Sequence, residues 1–407
     1  MATKHKWTFK FRFRREAYGW SGTALASKRM KEAVSEIKKI AKKDSALAGE
    51  GVIELFVRLY PALMSIDGSS GALGTAMHNT IHNLIPILIK ADWDMNTRGK
   101  QLDELFIAIQ DDGWGTFDDL RDYWGEICAY PGLAHIWADK LIPTVKEVWT
   151  SEDYFYFFGT DMCLSCLVYT QRYEELQQLL ELRSKPWWTY NKFWAMALVK
   201  QGKPDEALAY ADDILALDET KNEESEIDDF CENVLIDMGR IKEAYEKYGL
   251  KLSSYGTNIN IYRAICKKYP TIDKRKILMD CIDKKGDKGK WFASAKSVGF
   301  LDIALECALS ETSDPDTLFR ACRDFADKDI SFALTVGVMG IIRLLTGTFY
   351  DEVTAFDISY AYYQVEKIIK DRDKLDDFKA MLSREIMKRS CKDDLREVIV
   401  KELGADG

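Results

Sequence analysis

A chain of 407 residues with 47% apolar and 12% aromatic composition can bury a large core, and it is too aromatic to be disordered. No stretch reaches the roughly 18 to 20 uninterrupted apolar residues that span a bilayer; the nearest, FALTVGVMGIIRLL (332–345), carries Arg343. The net charge of −9 is uneven: residues 1–43 hold 13 Lys or Arg against 3 Glu, which leaves −19 on the rest, so the basic head meets either an external polyanion or its own acidic body.

KWTFKFRFRR (6–15) alternates Trp7, Phe9, Phe11 and Phe13 with Lys6, Thr8, Lys10, Arg12 and Arg14. As an extended arm it has one aromatic and one cationic face. Three readings follow: a strap tucked into a groove of its own body, a strand added to another chain, or a nucleic-acid contact through phosphates and base stacking. Residues 28–43 then read as a helix with a stripe of Met30, Ala33, Val34, Ile37, Ile40 and Ala41. Its other face is lysine-rich and extends the cationic surface. The candidate polyanion or partner contacts are Lys6, Lys10, Arg12, Arg14, Arg15, Lys31, Lys38 and Lys42.

Further helices are expected at 46–65, 71–91, 97–111, 117–129 and 132–149, punctuated by Asp67-Gly68, Asp112-Gly113 and Pro131-Gly132. DGSSGALGTA (67–76) lacks the lysine and hydroxyl of a P-loop, and capping explains Ser69 and Ser70. His78 and His82 stand at the i, i+4 spacing that brings two imidazoles to one metal. Asn79 replaces the glutamate of the known zinc motif, so ordinary surface or packing positions are expected. QDDGWGTFDDLRDYWGE (110–126) reads as caps and dipole partners, with Asp118 and Asp119 following Thr116, or as an acidic patch that holds the basic head.

From about residue 155 a repeat emerges. LVKQGKPDEALAYADDILALD (198–218) has the form of a tetratricopeptide hairpin, in which Gly202 closes one helix and Ala207 lets the next approach closely. The same spacing of five recurs at Gly239/Ala244 and Gly299/Ala304. RYEELQQLLEL (172–182) and DISFALTVGV (329–338) are degenerate versions, and IYRAICKKYPTIDKRKILMDCI (261–282) fills the long gap as a poorly marked unit. KPWWTYNKFW (185–194) supplies Trp187, Trp188 and Tyr190 as core residues or as aromatics of a peptide groove. Cys163 and Cys166, in CLSC, lack both a βαβ context and a second pair, and read as small core residues. Nine cysteines, odd in number and scattered, fit reduced thiols in a cytoplasm. Charges stand among the first residues where a signal peptide has its apolar core.

AYGWSGTALASKRMKEAVSEIKKIAKKD (17–44), DGSSGALGTAMHNTI (67–81), RDYWGEIC (121–128), GKWFASAKSVGFLDIAL (289–305) and CRDFADKD (322–329) together resemble a family of uncharacterised bacterial helical-repeat proteins of similar length. The resemblance runs nearly end to end and implies a bacterial source and a helical-repeat fold. It carries no activity, so no catalytic residue follows from it. The second half separately resembles tetratricopeptide-like repeats, which imply peptide or protein docking.

The expected fold is all-α: a tetratricopeptide-like, helical-hairpin solenoid with a short N-terminal β arm. The expected division is an arm at 1–22, helices without a clear repeat at 23–150, repeats at 151–345 and capping helices at 346–407. The expected function is a non-enzymatic protein-interaction scaffold in the cytoplasm, with a protein partner and no membrane. The alternative is nucleic-acid binding through residues 1–43. No catalytic residue, cofactor or metal site is expected.

Overall fold

The computed structural model describes residues 5–151, 156–183, 185–217, 222–251, 256–347 and 352–404. All regular structure among them is helical, as the lack of any βαβ alternation implies. The chain divides into two units, Met1–Val234 and Leu235–Gly407. The first holds α1 (Thr23–Ala41), α2 (Ser45–Leu63), α3 (Ala72–Ile89), α4 (Met95–Gln110), α5 (Asp118–Arg121), α6 (Trp124–Cys128), α7 (Pro131–Thr150), α8 (Gly159–Tyr169), α9 (Tyr173–Leu180), α10 (Trp188–Lys200) and α11 (Pro204–Leu215). After α12 (Glu224–Asp237), which crosses the boundary, the second holds α13 (Ile241–Ala244), α14 (Asn258–Lys268), α15 (Lys274–Lys285), α16 (Phe292–Ser297), α17 (Leu301–Ala308), α18 (Pro315–Phe325), α19 (Ile330–Thr346), α20 (Ala355–Lys370), α21 (Leu375–Met387) and α22 (Asp393–Glu402).

The expected β arm is not a strand. Thr8–Phe11 forms a 3-10 turn, closed by Arg12 N–H donating to Phe9 O at 2.8 Å. The reason is backbone satisfaction: no strand edge lies among the described residues, so the arm pairs with itself and with Glu36, which accepts from Thr8 N at 2.9 Å. Tight winding also breaks the two-faced pattern. Trp7, Phe9 and Phe13 are buried, while Phe11 is turned out and 69% exposed.

Aspartates start many of the helices as the sequence implies. Asp44, Asp94, Asp273, Asp314 and Asp329 each accept a backbone N–H three residues on. The helix expected at 117–129 is instead two short ones, α5 and α6. A Cβ on Gly125 would overlap the Ser165 carbonyl, so α6 lies against α8 as only glycine permits. Arg98 is buried and joins three segments by donating to Leu88 O and Ile127 O, both at 2.9 Å, and to Ala91 O.

The repeat signature corresponds to one local device. Gly202, Gly239 and Gly299 take φ of +77°, +76° and +88°. The residue after each donates back to a carbonyl five positions earlier: Lys203 to Leu198 at 3.0 Å, Arg240 to Leu235 at 2.8 Å and Phe300 to Ala295 at 3.1 Å. These are Schellman turns, and the alanine five residues past each glycine is fully buried where the next helix crosses. Two more follow the pattern without glycine. Gln171 (φ +58°) precedes Arg172, which donates to Leu167 at 2.9 Å, and Asp373 (φ +55°) precedes Lys374, which donates to Ile369 at 3.4 Å. Leu176 and Phe378 fill the fifth position, both buried.

The apolar stretch at 332–345 lies within α19, a core helix whose buried Arg343 donates to Leu309 O at 2.7 Å. No helix among the described residues is long and apolar enough to cross a membrane.

Candidate functional site

The basic head is largely engaged by its own unit. Lys10 pairs with Glu54 at 2.9 Å and Arg12 with Glu32; Arg14 Nε donates to Phe11 O at 3.1 Å, and Arg15 lies 3.7 Å from Glu16. Lys38 donates to Asn83 on α3. The acidic partners on α1 and α2 are Glu32 and Glu54, not the acidic stretch 110–126. That expectation is therefore corrected. The acidic residues there are matched by nearer groups: Asp118 by Arg121 at 2.7 Å, Asp122 by Lys192 at 2.6 Å and Glu126 by Lys200 at 3.0 Å. Lys6, Lys31 and Lys42 are exposed, and none has an ion-pair partner among the described residues. Lys31 borders a shallow pocket of about 460 Å³ between α1 and α3, with Asn79 and Asn83 opposite.

A second cleft, of about 510 Å³, joins two stretches that the sequence presents separately. Gly68, Gly74 and His78 come from 67–82; Trp114, Asp118 and Asp119 come from 110–126. The turn before α3 is held by Asp67, which accepts from Ser69 N at 2.9 Å, and Gly71 at φ +70° takes the N-cap position expected for the serines. Asp112 fixes the facing loop by accepting from Thr116 Oγ1 at 2.8 Å and from Phe117 N at 3.1 Å. Across the mouth, His78 Nδ1 stands 2.6 Å and His82 Nε2 3.2 Å from one oxygen of Asp119.

Behind Asp119 lies a buried charge network. Arg121 reaches Asp161 at 3.4 Å as well as Asp118. Burial opposes its charge, but Asp161, Asp118 and Tyr156 hold it protonated above the usual range. Burial pushes the Asp161 carboxyl up to about 7 against the pull of Arg121. Asp118 and Asp122 are also raised by burial, opposed by Arg121 and Lys192 respectively. The network anchors α5 and thereby Asp119.

Trp188 and Tyr190 pack inward, and Trp187 is half-buried. Tyr190, Trp187 and Trp149 enclose the Arg183 guanidinium at 4.5, 4.9 and 5.1 Å. Glu223 accepts from Trp188 N at 2.9 Å and from Thr189 N at 3.2 Å, closing the start of α10. All nine cysteines are free thiols; Cys163 and Cys166 are buried, and burial pushes Cys163 up to about 12.

A row of exposed aromatics lies elsewhere, on α20. Ile358, Ala361, Tyr362, Val365 and Ile369 face the core, yet Phe356, Tyr360 and Tyr363 are also apolar and stand 74%, 56% and 56% exposed. Phe356 and Tyr360 stack with centroids 6.0 Å apart. Beside them runs a groove of about 660 Å³ with Phe319, Leu344 and Val353 in its wall and Asp314, Asp316 and Glu352 among its acidic groups. Sequence reasoning did not single out this stripe, although its i, i+4, i+7 spacing is visible.

No protein-family model, curated protein or solved structure matches the chain.

Proposed function

We propose that the chain is a non-enzymatic docking protein that takes an apolar, basic-flanked segment of a partner protein on α20 and its groove. The single observation that carries this reading is the second apolar face of α20. A helix apolar on two faces is ordinarily buried on both, and here Phe356, Tyr360 and Tyr363 face outward beside a groove. Aromatic rings at helical spacing are the usual anchors of such contacts. The groove lining is net acidic, since Asp314, Asp316, Glu352 and Asp357 outnumber Arg320 and Arg323, and this favours a basic partner. The Schellman-closed hairpins supply the rigid scaffold that a docking surface requires. A bacterial, cytoplasmic setting is part of the proposal and rests on the sequence resemblance and the free thiols. The test is co-purification from the native host with the wild-type chain and with a folded Phe356→Ser/Tyr360→Ser variant. A partner retained equally by both removes the proposal.

A second reading, nucleic-acid binding by the head, keeps one specific support. Lys31, Lys39, Lys42 and Lys43 are exposed, with no ion-pair partner among the described residues, although most cations of the arm itself are engaged. The salt dependence of duplex binding tests it.

A further inference from the structure

His78 and His82 lie one turn apart on α3, so their rings share one face, with centroids 4.2 Å apart. Asp119 arrives from α5 and offers one carboxylate oxygen to both. The three donor atoms all lie within 4.8 Å of one another. Donors that share a zinc-class ion at about 2.0–2.2 Å stand about 3–3.5 Å from each other. The distances of 2.6 and 3.2 Å to the aspartate are close to that spacing, and a small rotation of the imidazoles closes the set.

We propose that His78, His82 and Asp119 bind a single divalent first-row transition ion of the zinc class at the mouth of the cleft. Two imidazoles with one carboxylate suit Zn²⁺, Co²⁺ or Ni²⁺, whereas Mg²⁺ and Ca²⁺ take oxygen ligands. The elements that carry the donors are fixed from behind. Met77 and Ile81 are buried on the adjoining face of α3, and Leu120 with the Arg121–Asp118 pair at 2.7 Å secures α5. Three protein donors leave coordination positions open where His78 and Asp119 border the cleft. The bound ion ties α3 to α5, so it stabilises the folded chain in proportion to its occupancy.

The full-length protein, stripped with a chelator, is titrated with Co²⁺ and followed by its visible d–d absorption. It is then titrated with Zn²⁺ against a chromophoric competitor. The wild type saturates at a single equivalent and melts at a higher temperature with Zn²⁺. His78→Ala, His82→Ala and Asp119→Asn each weaken binding by at least about tenfold and lose the thermal shift. The metal-free melting of the two histidine variants stays at the wild-type value, because the imidazoles are exposed. His135→Ala, which removes an exposed histidine outside the set, binds as the wild type does. Absence of saturable binding overturns the proposal, as does equal affinity in the three variants or an equal loss in His135→Ala.

Discussion

The indole of Trp7 packs against Gly51, so close that a Cβ on that glycine would overlap the ring. This contact fixes the N-terminal arm on α2 and makes the arm part of the core. Trp7→Ala should destabilise the first unit by about 3 kcal/mol, the usual loss for a large buried ring. Gly51→Ala should displace the indole and red-shift its fluorescence, with a loss of about 1–3 kcal/mol from overpacking. Unchanged denaturation midpoints in both variants would show that the arm is only loosely attached.

The two Schellman turns without glycine hold side chains in the left-handed region, where a Cβ is unfavourable. Gln171→Gly and Asp373→Gly should each stabilise the chain by about 0.5–1 kcal/mol, and Gly202→Ala should destabilise it by about 1 kcal/mol. Urea denaturation of the three variants reads all three signs. A destabilising glycine at 171 would mean that the Gln171 side chain matters more than its backbone.

Asp161 gives the first unit a pH dependence of defined sign. Its carboxyl is pushed up to about 7 in the folded chain, from about 3.9 when unfolded. The folded state therefore binds the extra proton between those values. The stabilisation from this group is complete below the unfolded value and is lost as pH rises through about 7. Asp161→Asn should come nearest to the wild type below pH about 4 and exceed it by a growing margin up to pH about 8 in denaturation experiments. Parallel profiles for the two proteins would contradict the assignment.

The exposed lysines of α1 and its C-terminal end allow a quantitative test of the second reading. If Lys31, Lys39, Lys42 and Lys43 each neutralise one duplex phosphate, log Kobs against log salt should fall with a slope of about −3.6. Replacing all four by alanine should abolish the slope. Absence of binding at low salt leaves the lysines as a solvated face.

What the sequence made legible was what neighbouring residues decide. Gly202, Gly239 and Gly299 announced their turns because a positive φ selects glycine. Gln171 and Asp373 adopt the same geometry without that signal, with Leu176 and Phe378 buried five positions on. The alternation at 6–15 implied a strand, but strand geometry needs a partner edge, and the arm wound into a turn instead. The histidine spacing was visible on α3, yet Asp119 lies 41 residues beyond His78 and only folding brings it near. An apolar stripe such as Phe356, Tyr360 and Tyr363 reads as core in any sequence; exposure alone separates a docking face from a buried one.

The docking proposal is tested most directly by site-specific photo-crosslinking in the native host, with a photoreactive benzoylphenylalanine in place of Phe356. The account predicts a discrete crosslinked partner protein, absent when the same probe replaces exposed Met279 in the same unit. No crosslink from position 356, or the same products from both positions, would contradict it.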